Sequence, residues 1–232
     1  RVPDDLELEA FVHGAMCMSY SGRCMISAYL TGRSANRGAC TQSCRWKYHL
    51  MEETRPGEYF PVEEDENGMT ILSSFDMNCM DFLDRLMDAG ITSFKIEGRM
   101  KSPFYVATVT NAYRKRIDAL LDGTADDHQL ALLQRELNAA SHRPYASGFY
   151  FGEMKRHAPD TGAYLQDTTF VGMVKSYANG RVVFEQRNRV FDGDVVEILS
   201  PDTLGASFTA RDIIDANGIS CCVASRPSEI YS

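Results

Sequence analysis

Sulfur is concentrated in one stretch of this chain. Cys17, Cys24, Cys40 and Cys44 lie in EAFVHGAMCMSYSGRCMISAYLTGRSANRGACTQSC, from Glu9 to Cys44, and Cys79 follows in SSFDMNCMDFL. Six residues separate the first pair, fifteen the second and three the third. An iron–sulfur cluster takes about four thiolates converging on one point. Soft sulfur ligands select such clusters, or zinc, over magnesium and calcium. Gly14, Gly22 and Gly38 suit the tight backbone approach and positive φ of such a shell. Other readings compete. The C-x3-C pair Cys40 and Cys44 resembles a zinc knuckle, so structural zinc is the alternative metal. A disulfide framework sits badly with an odd total of seven cysteines. Ordinary buried thiols account for any one cysteine, but not for five within 63 residues.

Polar groups of other kinds accompany the sulfur. His13 ends an alternating run, beside Gly14 and close to Cys17; it suits a hydrogen-bond donor or a general acid–base near neutral pH, or a packed cap of the strand. Glu9 lies on the same side of that alternation as His13. In KIEGRMK, Lys95, Glu97 and Arg99 occupy alternate positions, and they share a face for as long as a strand persists. Arg99 can clamp a carboxylate bidentately, and Glu97 can orient Arg99 or Lys95 or move a proton. A salt-bridge ladder that only orders the fold is the plainer reading, and Lys101 belongs to the same basic cluster. Arg33, Arg37, Arg45 and Lys47 form a basic island, with no acid between Arg23 and Glu52. Trp46 and Tyr48 interleave with it, a pattern suited to single-stranded RNA or to a solvated loop.

The elements that must position these groups follow from periodicity. Leu6 to His13 alternates as a strand. Cys24 to Leu30 reads as a short helical turn stopped by Gly32. Asn67-Gly68 marks a hairpin between 59–64 and 69–73. Met80 to Ala89 reads as an amphipathic helix ending at Gly90, with Cys79 at its N-terminus, where a thiolate is favoured. A strand over 91–98 leads into a helix over 102–121, the clearest α/β signature in the chain, and a second helix spans 126–140. HRPYASGFYFG follows, as a lid, an RNA-stacking loop or the packing of a domain junction. From Phe170 short strands separated by Gly-containing turns indicate a small all-β barrel. There Lys175, Arg181, Arg187 and Arg189 are candidate phosphate contacts or a solvated face, and Cys221 and Cys222 read as ordinary thiols. The expected division is 1–165, a partial (β/α) barrel, and 166–232, the β-barrel domain.

Composition sets bounds. With 232 residues, 44% hydrophobic and 24% charged, the chain suits one or two globular domains with a real core. A net charge of -8 argues against indiscriminate polyanion binding but allows tRNA at a local basic patch. No apolar run approaches the roughly 18 residues of a membrane span, and nothing reads as a secretory leader. Unpaired cysteine chemistry points to a reducing cytoplasm.

ELEAFVHGAMCMSYSGRC resembles the signature of the collagenase-like peptidase family, peptidase family U thirty-two. The resemblance continues through GACTQSCRW, DMNCMDFL, FKIEGRMKSPFYVATVTNAYR and HRPYASGFYFG, and into FVGMVKSY and VFEQRNRVFDGDVVEIL. It is strongest to the branch that hydroxylates tRNA, and it implies 5-hydroxyuridine formation at the wobble position with prephenate as a required metabolite. It further implies a 4Fe–4S cluster on Cys17, Cys24, Cys40 and Cys79, with Cys44 in reserve. His13, Glu97 and Arg99 would then be catalytic, and Glu9, Lys95, Arg37 and Arg45 would bind substrate. Family members carry a longer N-terminal region supplying the first barrel strands, so the chain is expected to be the C-terminal part of a larger protein, completed by that half or by a partner. Two alternatives stand. One is a true peptidase, for which neither HExxH nor G-x-S-x-G is present and His13 with Cys17 is the one obvious pair. The other is a zinc-stapled RNA-binding module without catalysis.

Overall fold

The computed structural model describes residues 5–17, 23–46, 75–152 and 164–232, with isolated positions at 3, 54, 56 and 57. The expected hairpin over 59–73 lies outside the described residues, as do Lys47 and Tyr48. The chain mixes helix and strand and divides into two compact units. The first takes Arg1–Met100 with Ser141–Leu165, the second Lys101–Ala140 with Gln166–Ser232. The second unit thus counts the two long helices with the C-terminal strands, a grouping that no single cut in the sequence makes.

The first unit is built on a four-stranded sheet. Its strands are β1 (Glu9–Ala15), β2 (Asp76–Asn78), β3 (Ser93–Ile96) and β4 (Tyr145–Ala146), in the order β3-β1-β2-β4. β1 runs parallel to β3, and β2 parallel to β4, while β1 and β2 are antiparallel. The strand expected from Leu6 starts later and runs further. Its register against β3 shifts between Phe11 and His13. That irregularity breaks the period of two, so Val12 and His13 are both fully buried. Met16, Phe75, Met77, Met80 and Phe82 are buried with Val12, and the short helix α2 (Leu83–Asp88) adds Leu83 and Leu86, one turn apart. Helix α1 (Ile26–Thr31) stops at Gly32, which takes φ 71° and closes the turn onto Ala28.

The second unit contains α3 (Pro103–Leu121) and α4 (Asp127–Ala139), which pack together. Ser102 caps α3 by accepting from the Tyr105 N–H at 3.2 Å, and Asp126 caps α4 through the Gln129 N–H. Lys115 Nζ donates to the carbonyls of Ser200 and Thr203, and Asn111 reaches Ser200 O at 3.3 Å, so one loop is clasped to α3. β5 (Gly172–Ala178) and β6 (Arg181–Gln186) join at Asn179-Gly180, both at positive φ as a tight hairpin requires. β11 (Ile230–Tyr231) adds to β6. β7 (Val190–Phe191) pairs with β10 (Val223–Ala224), and β8 (Val195–Glu197) with β9 (Ser207–Thr209). Val190, Ala210, Ile213, Ala224 and Tyr231 form the buried centre of these ribbons. Among the described residues, no helix is long and apolar enough to cross a membrane.

Candidate active site

The ends of β1 and β3 meet as closely as a backbone allows. The Glu97 N–H donates to His13 O at 2.9 Å. A Cβ on Gly14 would stand 2.6 Å from Glu97 O, and Gly14 has φ +119°. Only glycine fits both the contact and the angle. β3 ends at Ile96, so the shared face expected for Lys95, Glu97 and Arg99 lapses after Lys95. The chain turns instead, with Glu97 Oε1 accepting from the Arg99 N–H at 2.9 Å. Arg99 is exposed, and its Nη1 lies 3.2 Å from where a Gly38 Cβ would be. Arg99 thus rests on the turn just before Cys40. Lys95 is exposed on the strand, and Glu9 is exposed at the start of β1, where its Oε2 accepts from Ser93 Oγ at 3.0 Å.

Behind this edge lies a buried polar cluster. His13 is completely buried, with Nε2 3.5 Å from Tyr145 Oη and ring centroids 5.3 Å apart. His142 stacks flat on the other residue of that pair, Tyr145, at 4.1 Å and 2°. His142 Nδ1 lies 2.7 Å from Arg143 O, and buried Asp76 Oδ2 accepts from the Arg143 N–H at 3.1 Å. Burying two imidazoles and a carboxylate, with Arg143 joined to them through its backbone N–H and carbonyl, is costly for a core that only packs. Imidazole and phenol together can hold or move a proton. Sequence reasoning found His13 but missed Asp76, His142, Arg143 and Tyr145. The clustering of His, Arg and Tyr around Pro144 was the available signal.

All seven cysteines are thiols. Cys17 is exposed just past β1, Cys24 precedes α1, and Cys40 Sγ accepts from the Gln42 N–H at 3.3 Å. Cys44 is half-buried in the 3-10 turn Ser43–Arg45. Cys79 is fully buried, and its N–H donates to Val12 O at 3.0 Å, level with the middle of the sheet. Cys79 stands at the start of the helical stretch as expected, but the ease of ionisation expected there is corrected by its burial. Cys79 precedes a 3-10 turn, Met80–Phe82, and α2 starts only at Leu83, while burial pushes the thiol up to about 12. Desolvation outweighs the few N–H groups of so short a stretch. Burial, and then the charge of Cys79, also raise the Tyr150 phenol, whose Oη donates to Phe11 O at 3.0 Å. As a donor set the thiols suit an iron–sulfur cluster or zinc. Among the described residues no three His, Cys, Asp or Glu side chains stand together as a metal-binding group. Residues 18–22, between Cys17 and Cys24, lie outside that description.

The remaining candidates are dispersed. Arg33 and Arg37 are exposed, and the Arg45 side chain lies outside the described residues. In the second unit, Lys175 and Arg187 both pair with Glu185, whose carboxyl they hold below the ordinary range, Lys175 first. Arg181 donates to the carbonyls of Asp212 and Ser232, leaving Arg189 exposed. Cys221 and Cys222 stand far along the chain, beside β10.

Comparison with known proteins identifies the lineage of both parts. A family model described as Peptidase family U32 matches residues 1–159, and one described as Peptidase family U32 C-terminal domain matches 166–232. "tRNA hydroxylation protein P1" of Bacillus subtilis is 37% identical over 97% of this chain and 54% of its own length. "tRNA hydroxylation protein P" of Escherichia coli is 32% identical over 100% of this chain and 59% of its own. A "Collagenase" of Porphyromonas gingivalis is 33% identical over 85% of this chain and 54% of its own. The chain therefore spans about half the length of these relatives.

Proposed function

We propose, because the chain belongs to peptidase family U32, that it is part of an RNA-modifying enzyme that hydroxylates tRNA. In its finer form the product is 5-hydroxyuridine at the wobble position and the reaction depends on prephenate, a dicarboxylate. The observation that carries this reading is Arg99. Its guanidinium is exposed at the end of β3, lies against the turn before Cys40, and follows a loop pinned by the Glu97 carboxylate. A planar cation so presented takes a carboxylate bidentately. The names of relatives aligned along nearly the whole chain support the RNA half of the reading.

Each residue has a role in this proposal. Arg99 binds the carboxylate and Glu97 positions it. His13, buried against Tyr145 behind the edge that carries them, holds or moves a proton within the buried cluster. Cys17, Cys24, Cys40 and Cys79 hold a 4Fe–4S cluster, with Cys44 in reserve and zinc as the alternative metal. The bound cluster supplies one-electron chemistry. β1 and β3, adjacent and parallel, belong to a (β/α) barrel completed by further chain or by a partner, and 166–232 is a small β-barrel that docks RNA. The proposed setting is the cytoplasm.

The test is nucleoside mass spectrometry on tRNA from a strain lacking the gene. Loss of 5-hydroxyuridine is expected, restored by the full-length gene but not by its Arg99→Ala or Cys40→Ala variants. Anaerobically purified protein should hold about four irons and four sulfides per chain. An unchanged 5-hydroxyuridine level sinks the hydroxylase reading. Cleavage of a collagen-like peptide by metal-free protein would put the peptidase in its place. RNA binding with zinc and neither activity would leave the binding module.

A further inference from the structure

Helix α1 turns its apolar side to solvent. Ser27 is its one buried residue, and that serine is fixed by a polar lock: Ser27 Oγ and Thr41 Oγ1 are 3.0 Å apart, and the Thr41 N–H donates to Ser27 Oγ at 3.1 Å. Tyr29 is 87% exposed, and Met25, one turn earlier, 68%. Ile26 and Leu30, the next such pair, are also exposed. The turn Ser43–Arg45 packs beside α1, and Trp46 directly after it is 44% exposed. An apolar stripe is usually what fastens a short helix to its protein, since a single turn and a half has no stability alone. Here the fastening is hydroxyl to hydroxyl, and the rings and thioether are left over.

The surroundings are cationic. Arg33 and Arg37 are exposed on the segment between α1 and Cys40, and the sequence carries no Asp or Glu between Arg23 and Glu52, in a chain of net charge -8. We propose that α1 and Trp46 form a stacking platform for an unpaired stretch of RNA. Tyr29 and Trp46 take base faces, and Arg33 and Arg37 take phosphates. The proposal rests on the RNA-substrate reading above and names the surface that would receive that substrate. Charge decides the occupant. Arginines with no carboxylate between Arg23 and Glu52, in a chain of net charge -8, suit a polyanion, and rings interleaved with such cations are the pattern of single-strand sites. The platform also shares its loop with Gly38, on which Arg99 rests. RNA held there stays beside the candidate active site.

Trp46 is the single tryptophan of the chain, so its fluorescence reports on the platform. The experiment titrates the 232-residue chain with a short RNA hairpin bearing an unpaired, uridine-containing loop, and with a blunt RNA duplex as control. The hairpin should quench Trp46 and the duplex should not. Tyr29→Ala, at a position too exposed to unsettle the fold, should weaken hairpin binding about tenfold or more, the usual loss for one stacked base. Arg37→Ala should flatten the salt dependence. Unaltered binding by Tyr29→Ala overturns the platform. Binding seen by anisotropy without quenching also overturns it, and leaves RNA as the substrate by another surface. No binding of either RNA overturns the platform, while the hydroxylase reading stands or falls separately on the nucleoside measurement. A self-associating chain made monomeric by Tyr29→Ala, with RNA binding unchanged, would assign the face to a second copy and overturn the proposal.

Discussion

Replacing Gly14 by alanine tests whether β1 and β3 are joined as described. The added Cβ would meet Glu97 O at 2.6 Å and Glu97 Cβ at 3.1 Å, the first a backbone atom and the second bonded directly to a backbone that His13 O already holds through the Glu97 N–H. Neither atom is the loose end of a flexible side chain, so the strands must part. Two costs add. A non-glycine residue at φ +119° costs on the order of 1–3 kcal/mol. Forcing a methyl into filled space costs roughly another 1–3 kcal/mol. Gly90 supplies the control, since it has φ +88° with nothing within 4 Å of its would-be Cβ. Gly90→Ala should cost only the conformational part, about 1–2 kcal/mol. Both glycines lie in the first unit with Trp46, whose fluorescence can follow urea unfolding. Gly14→Ala should fall below Gly90→Ala by at least about 1 kcal/mol, the overpacking share. Equal midpoints and slopes for the two variants would refute the close approach, and with it the placement of Glu97 beside His13.

Two further outcomes follow from the same structure. In metal-free native protein, Cys79, its thiol raised to about 12 against an ordinary 9.0, should resist iodoacetamide at pH 8 while exposed Cys17 and Cys222 are alkylated, as read by peptide mass spectrometry; equal labelling would refute its burial. Asp215 Oδ1 accepts from the N–H groups of Ile219 and Asn217, both at 2.9 Å, which holds its carboxyl below the ordinary 3.8, the Ile219 bond contributing most. A depressed folded pKa gives stability present above the ordinary value and lost as acid titrates the folded group. The fall in Tm below pH 4 should therefore be shallower in Asp215→Ala than in the parent; parallel curves would refute the turn's hydrogen bonds.

Much of the local structure was legible in the sequence because its causes are local. Gly32 stops α1, Ser102 and Asp126 cap α3 and α4, and Asn179-Gly180 closes a hairpin, each through groups within a few residues. The alternation in β1 was legible too, but not its irregularity after Phe11, which exists only against β3. Glu97 and Arg99 read as strand neighbours because nothing in KIEGRMK announces that β3 ends at Ile96. The site was half visible. His13 stood out beside the cysteines, while His142 and Tyr145 looked like junction packing more than a hundred residues away.

The sequence by itself determined which chemistries the chain carries: a concentration of thiols, a basic island in an acidic chain, glycines at fixed turns and the motifs of its family. These are properties of residue type and short spacing, and they hold whatever the chain's path. Only tertiary structure decided that Gly14 and Glu97 touch, that His13 is buried against Tyr145, that Cys79 is a desolvated thiol and that α1 bares Tyr29. Burial and cross-strand register arise from segments far apart in sequence. Desolvation, orphaned apolar surface and close backbone approach are set by whatever the fold brings alongside, and no window along the chain contains that information.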